Sequence, residues 1–333
     1  MKVETANLAA SVHQRLLNQS KTRGLDFNLL LTRFAIERFL YRLSLSPHAG
    51  QFVLKGAMML QIWLPETGRP TRDLDLLGFG DLTADRLREV FAAICNQSVE
   101  PDGVSLLANT VTVQAIRGQD EYGGQRVTLE GFLGAARLHV QVDVGIGDRL
   151  TPPAEWIEYP VLLDLPRPRL RAYRPETSIA EKLHAMVILD LQNSRMKDFF
   201  DLLRLAQSLS FTGDVLVAAV QDTFTRRKTV ILPEPPTAFT SAFAEDPAKL
   251  LQWKAFRNRN RSGLRSVEED FASVIQMLTR FLGPVLEAAC LRSPFPMTWL
   301  PGGPWTKNEE KKPFQQPDDF ALPELSTGLE AAG

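Results

Sequence analysis

Two short segments limit what this chain can fold into more than any others: Thr71-Arg72-Asp73-Leu74-Asp75-Leu76-Leu77 and Val140-Gln141-Val142-Asp143-Val144. Both read as strands, and successive side chains of a strand point to opposite faces, so Asp73 and Asp75 share one face. Two carboxylates on an otherwise apolar strand repel each other and resist burial. A hard divalent cation such as Mg²⁺ relieves both problems, and Asp143 is placed to complete the cage from a neighbouring strand. Such an arrangement suits a nucleoside triphosphate undergoing in-line displacement at phosphorus.

Composition excludes several classes. With 38 basic and 39 acidic side chains in 333 residues, the chain is not a strongly basic nucleic-acid binder, although local basic patches remain compatible with one. Cys95 and Cys290 have neither metal-site nor disulfide-framework spacing, and the four histidines are scattered, which argues against a zinc centre. Met1-Lys2-Val3-Glu4 does not open a signal peptide, and no run reaches the ~18 apolar residues of a membrane span. The expectation is a cytoplasmic protein with no membrane partner.

Helical periodicity covers about residues 5–46, through Leu8, Val12 and Leu16 and then Leu30, Phe34, Phe39 and Leu43, until Pro47. Phe52-Val53-Leu54 is a short strand, Met58 to Leu64 a short helix, and Gly68, Pro70 and Thr71 a loop into the aspartate strand. Leu87, Val90, Phe91 and Ile94 form one face of a helix over about 83–96. Strands are expected at about 111–117, 126–132 and 136–145, the last two as a hairpin. After a proline-rich connector from Pro152 to Pro175, helices are expected at about 177–191, 195–209, 213–228, 246–258 and 266–291. Beyond Ser293 the chain is rich in Pro, Gly and charge.

Other residues carry candidate chemistry. Lys55-Gly56-Ala57 lies between a strand and a helix, where a glycine lets a ligand approach the backbone and a helix start favours phosphate; a plain βα turn has the same composition. Arg72 can neutralise the aspartates, contact a phosphate or form a simple ion pair. Ser178-Ile179-Ala180-Glu181 fits a capping box, and Lys182 then sits beside the apolar stripe of its helix. An inward lysine needs a counter-charge, which a triphosphate supplies; otherwise it snorkels to water. Asp198 and Asp201 share a helical face, although Lys197 and Asp201 also fit an exposed ion pair. His184 and His139 read as local hydrogen-bonding groups. Arg167 to Arg174, Arg226 to Lys228, and Lys254 to Arg261 beside Trp253 and Phe256 form local basic clusters, suited to a nucleic-acid backbone or simply solvated.

Taken together, these residues resemble the nucleotidyltransferase superfamily with a DNA polymerase β-like fold: a Gly turn at Gly56, Asp-x-Asp at Asp73/Asp75 and a third carboxylate at Asp143. The narrower resemblance is to the AbiEii/AbiGii toxin family, carried by Lys55-Gly56, Thr71 to Asp75, Glu181-Lys182-Leu183 and Lys197-Asp198-Phe199-Phe200-Asp201, in that order over about residues 30–290. One departure is Ala57, where the superfamily usually has Gly or Ser; a serine hydroxyl contact to the triphosphate is lost there.

The resemblance implies an α+β fold: helices over 1–46, a mixed-sheet catalytic domain over 47–165, a helical domain over 166–292, and a disordered or surface-draped tail over 293–333. It implies a toxin of a bacterial toxin–antitoxin or phage-defence pair that transfers NMP from an NTP to an acceptor such as the tRNA 3′ end, with an AbiEi-like antitoxin as partner. Asp73, Asp75 and Asp143 would hold Mg²⁺ or Mn²⁺. Lys55, Gly56, Ala57, Arg72 and Lys182 would contact the nucleotide, with Lys182 neutralising β/γ charge and Asp198 or Asp201 orienting that lysine or contacting the nucleotide. A protein or small-molecule acceptor, kinase chemistry and a non-catalytic nucleotide- or RNA-binding module are the alternatives.

Overall fold

The protein, a computed structural model, is described at residues 2–65, 71–116, 123–147, 150–259 and 270–307. Two helices open the chain, α1 (Lys2–Arg23) and α2 (Phe27–Leu45). They replace the single helical stretch expected there because Asp26 caps α2, its carboxylate accepting the Leu29 N–H at 2.8 Å. Strand β1 (Phe52–Lys55) then runs into a 3₁₀ turn (Gly56–Met59) and one α-helical turn, α3 (Leu60–Trp63). Gly68 and Pro70 lie outside the described residues.

Next come β2 (Leu74–Gly78), α4 (Ala84–Cys95), β3 (Val104–Ile116), β4 (Gly124–Leu133), β5 (Ala136–Ile146), β6 (Glu155–Glu158) and β7 (Arg169–Ala172). They form a seven-stranded sheet in the order β3-β4-β5-β2-β1-β7-β6. Pairing is mixed: β2 runs antiparallel to β1 and parallel to β5, and β1 runs parallel to β7. The fold is α+β. Strands β6 and β7 lie in the connector that the sequence reads as proline-rich linker; Tyr159 and Leu170 bury there and give it a reason to pair.

The alternation of side chains sorts the sheet faces. Leu54, Leu74, Leu76, Val127, Val140, Val142 and Val144 join Leu16, Phe34, Phe39, Val90 and Phe91 of α1, α2 and α4 in one core. At ~1.5–3 kcal/mol per large side chain, this face supplies much of the driving force for the sheet. The opposite face of the central strands carries Lys55, Asp75, Asp143 and Arg126.

The remaining helices form a second core: α5 (Pro175–Leu189), α6 (Met196–Ser208), α7 (Gly213–Arg226), α8 (Ser241–Ala244), α9 (Pro247–Arg259) and α10 (Phe271–Leu291). Helix α5 starts three residues before the expected capping box: Pro175 occupies its first turn, and Ser178 is buried inside it. Helix α10 is long and apolar enough to cross a membrane by length and composition, although Gln276, Thr279, Arg280 and Glu287 interrupt its apolar run. Phe271, Val274, Leu278, Phe281, Leu282 and Val285 bury instead in the second core.

Residues 297–299 and 305–307 of the expected tail form strands. A small sheet joins β8 (Phe211–Thr212), β9 (Met297–Trp299) and β10 (Trp305–Lys307), and Trp299 is buried with its indole donating to the Ala206 carbonyl at 2.7 Å. A large indole with a satisfied N–H outweighs the prolines around it. Residues 308–333 lie outside the described residues, as does Arg261.

Candidate active site

Strand register assembles the site. Lys55 lies opposite Asp75, Asp75 beside Asp143, and Asp143 opposite Arg126, a row across the neighbouring strands β1, β2, β5 and β4. Asp73, exposed just before β2, accepts the Gln141 amide at 3.4 Å. All three aspartates line one cavity of about 560 Å³, large enough for a nucleotide. Lys55, Gly56, Ala57, Lys182, Arg195, Lys197, Asp198 and Arg227 also border it.

Gly56 is fixed by two constraints. Its φ of +73° disfavours any side chain, and a Cβ there would collide with the Asp75 carboxylate. The turn therefore lets backbone and carboxylate occupy adjoining space at the cavity floor. The helix after it is a 3₁₀ turn and a single α turn, so its dipole is smaller than that of the helix expected from sequence. Ala57 is 9% exposed and faces the same cavity.

The charges are tightly paired. Lys55 Nζ lies 2.9 and 3.2 Å from the two oxygens of Glu181 and 5.1 Å from the Tyr173 ring. Tyr173 donates its hydroxyl to the same Glu181 at 3.0 Å. Burial disfavours the Glu181 charge, but Lys55 and Arg227 outweigh it and bring its pKa down to about 2. Arg227 donates to His184 Nδ1 at 3.0 Å, which leaves Nε2 of that ring as donor to Thr229 Oγ1 at 2.8 Å. The Asp75 pKa is raised by burial; repulsion from Asp143 and Asp73 adds to this, and Lys55 and Lys197 oppose it.

Lys182 is oriented by both acids of the next helix, in line with one of the roles expected for them. Its Nζ sits 2.7 Å from Asp198 and 2.9 Å from Asp201, whose side chains are 8% and 0% exposed. Of the two readings offered for Asp201, the shared face with Asp198 describes the ion pair to Lys182. Asp201 does not border the cavity, and neither does Arg72, which is exposed and lies 3.8 Å from Asp26. Local sequence patterns do not single out Arg126 or Arg195 as site residues, and mark Arg227 only as part of a basic cluster. Arg126 holds Asp143 through two hydrogen bonds of 2.8 Å, and only the strand register reveals that contact.

Three oxygen donors of hard character on neighbouring strands fit a magnesium-type ion in chemistry. Among the described residues, however, no three His, Cys, Asp or Glu side chains are gathered into a ready cage. Mg²⁺ commonly uses one or two carboxylates and takes its remaining ligands from substrate phosphates, which suits this set.

One protein family matches the chain, under the description "Nucleotidyl transferase AbiEii toxin, Type IV TA system", over residues 38–277. No curated protein sequence matches it. Among solved structures, a candidate nucleotidyltransferase from H. pylori is similar at 17% identity and a TM-score of 0.43, covering 80% of this chain and 97% of that one. JHP933 from Helicobacter pylori is similar at 16% identity and a TM-score of 0.41, covering 77% and 89%. Such distant structural likeness carries no weight beside the family match.

Proposed function

The chain belongs to the AbiEii nucleotidyltransferase toxin family, and from that premise we propose that it transfers a nucleoside monophosphate from an NTP to an acceptor such as the 3′ end of tRNA, with Mg²⁺ or Mn²⁺ as cofactor. The observation that carries this reading is the convergence of Asp73, Asp75 and Asp143 from adjacent strands onto one cavity whose floor is the Gly56 turn.

Asp73 and Asp75 would hold the metal ion together with the triphosphate. When bound, the ion supplies charge neutralisation at the reacting phosphate. The bare Gly56 turn lets the Asp75 carboxylate seat against the backbone beside the cavity. Lys182 spends two of its three N–H donors on Asp198 and Asp201, which would orient it at the cavity edge with one donor left for β/γ charge. Arg195 and Lys197, exposed at the start of α6 and bordering the cavity, would add to that charge. In the transfer itself, the acceptor hydroxyl oxygen bonds to the α-phosphorus, the α–β bridging bond breaks and pyrophosphate leaves. Asp143 would be the third metal ligand and would help to deprotonate the acceptor hydroxyl.

The partner would be an AbiEi-like antitoxin, and the compartment the cytoplasm. Incubation with α-labelled NTPs, Mg²⁺ and total tRNA tests the reading. Label should reach RNA with the wild type and be lost with Asp75→Ala; equal transfer by both removes the aspartates from catalysis.

A further inference from the structure

The row Lys55–Asp75–Asp143–Arg126 places two carboxylates between two cations, and the two cations are held very differently. Lys55 is fixed by both oxygens of Glu181 and by the face of Tyr173, with only 20% of its side chain exposed. Arg126 is 43% exposed and stands between the main cavity and a lateral recess formed with Gln114, Ala115 and Ile116. Its guanidinium takes both Asp143 oxygens, Nε to Oδ1 and Nη2 to Oδ2, each at 2.8 Å.

A carboxylate that gives one lone pair on each oxygen to a guanidinium is a weaker ligand for an ion, because the arginine holds half of its acceptor sites and neutralises its charge. An ion pair this exposed is weak enough to exchange. Arginine forms the same two-point contact with phosphate as with carboxylate, so a guanidinium displaced from Asp143 finds an equivalent partner in an arriving triphosphate. The described residues also offer no ready three-carboxylate cage before that exchange.

We propose that Arg126 occupies Asp143 in the nucleotide-free protein and transfers to the triphosphate when nucleotide arrives, so that metal and NTP load together. Arg126 is thus a positioning residue: it withholds the third ligand until substrate is present. This inference rests on the metal-dependent reading of the site given above.

The test is Mn²⁺ binding by the full chain, followed through the free-ion EPR signal, with and without a non-hydrolysable NTP analogue. Without nucleotide, Arg126→Gln should bind Mn²⁺ roughly fivefold more tightly than the wild type, as expected for removal of one exposed competing ion pair. The further substitution Asp143→Asn should cancel that gain. With the analogue present, the enhancement of Mn²⁺ affinity should be large in the wild type and much reduced in Arg126→Gln. Arg126→Lys, which keeps the charge but loses the two-point contact, should fall between them and guards against misfolding of the glutamine variant. Equal nucleotide-free Mn²⁺ affinity in wild type and both variants overturns the proposal. If no form binds Mn²⁺ even with the analogue, the metal-dependent reading itself fails.

Discussion

Gly56 and Asp75 occupy adjoining space so closely that no β-carbon fits at position 56 while the Asp75 carboxylate keeps its place. The glycine's φ of +73° adds a backbone penalty to the steric one.

Gly56→Ala is therefore expected to lower stability by ~1–3 kcal/mol and to turn the Asp75 side chain out of its position. Thermal unfolding reads the first effect and Mn²⁺ binding in the presence of NTP the second. Unchanged binding would show that the close approach is dispensable.

Ala57→Ser returns a hydroxyl to the cavity floor at a site with room for little more. The expected result is a severalfold lower KM for NTP with a smaller change in kcat, the signature of added binding in both ground and transition states. Steady-state transfer assays separate the two, and a raised KM would count against triphosphate contact at this turn.

Removing the Lys182 charge strands two buried carboxylates. Lys182→Met should cost ~3–5 kcal/mol, because Asp198 and Asp201 lose their common counter-ion. Neutralising both acids as well, with Asp198→Asn and Asp201→Asn, should recover part of that loss. Urea denaturation midpoints of the single and triple variants decide the matter, and a Lys182→Met protein as stable as wild type would refute the structural role.

Glu181 makes stability depend on acidity in a defined direction. Its pKa falls from the ordinary 4.5 to about 2 in the folded protein, through Lys55 and Arg227 acting against burial. A depressed carboxylate stabilises fully above its unfolded pKa, and this contribution is lost as pH falls through the folded value. Wild type should therefore exceed Glu181→Gln in stability at pH 6 by up to ~3 kcal/mol, with the gap closing between about pH 4.5 and 2. Denaturation series at several pH values measure the gap, and a constant difference would deny the linkage.

Trp299→Ala removes a buried indole and leaves the Ala206 carbonyl without its donor. A loss of ~3–5 kcal/mol is expected. Truncation after residue 292 should destabilise the helical core to at least the same extent, whereas a fully stable truncated protein would make the β8–β9–β10 sheet an accessory.

Features carried by local period are legible in the amino-acid sequence. Leu74-Asp75-Leu76 and Val142-Asp143-Val144 each state which residues face the core and which face the cavity. The Leu87, Val90, Phe91 and Ile94 stripe announces α4 in the same way. Contacts made by register or by helix ends are not legible. Nothing near Arg126 in sequence indicates that it meets Asp143, whereas the shared face of Asp198 and Asp201 already offers the acids that orient Lys182. Trp156 and Ile157 pair as a strand because their neighbour is β7, a partner invisible among the surrounding prolines. The capping-box pattern at Ser178 misleads for a related reason. Pro175 is an equally good helix start, and burial of Thr177 and Ser178 decides between them.

The parallel pairing of β2 with β5 has a consequence for synthesis. Asp75 and Asp143 become neighbours only after the β3–β4–β5 meander is made and folded back, a long-range closure that is slow compared with hairpin formation. Lys55 finds Glu181, and Lys182 finds Asp198, only after α5 and α6 have left the ribosome. The cavity's full set of charges is therefore assembled only after α6 has emerged, well past the midpoint of translation.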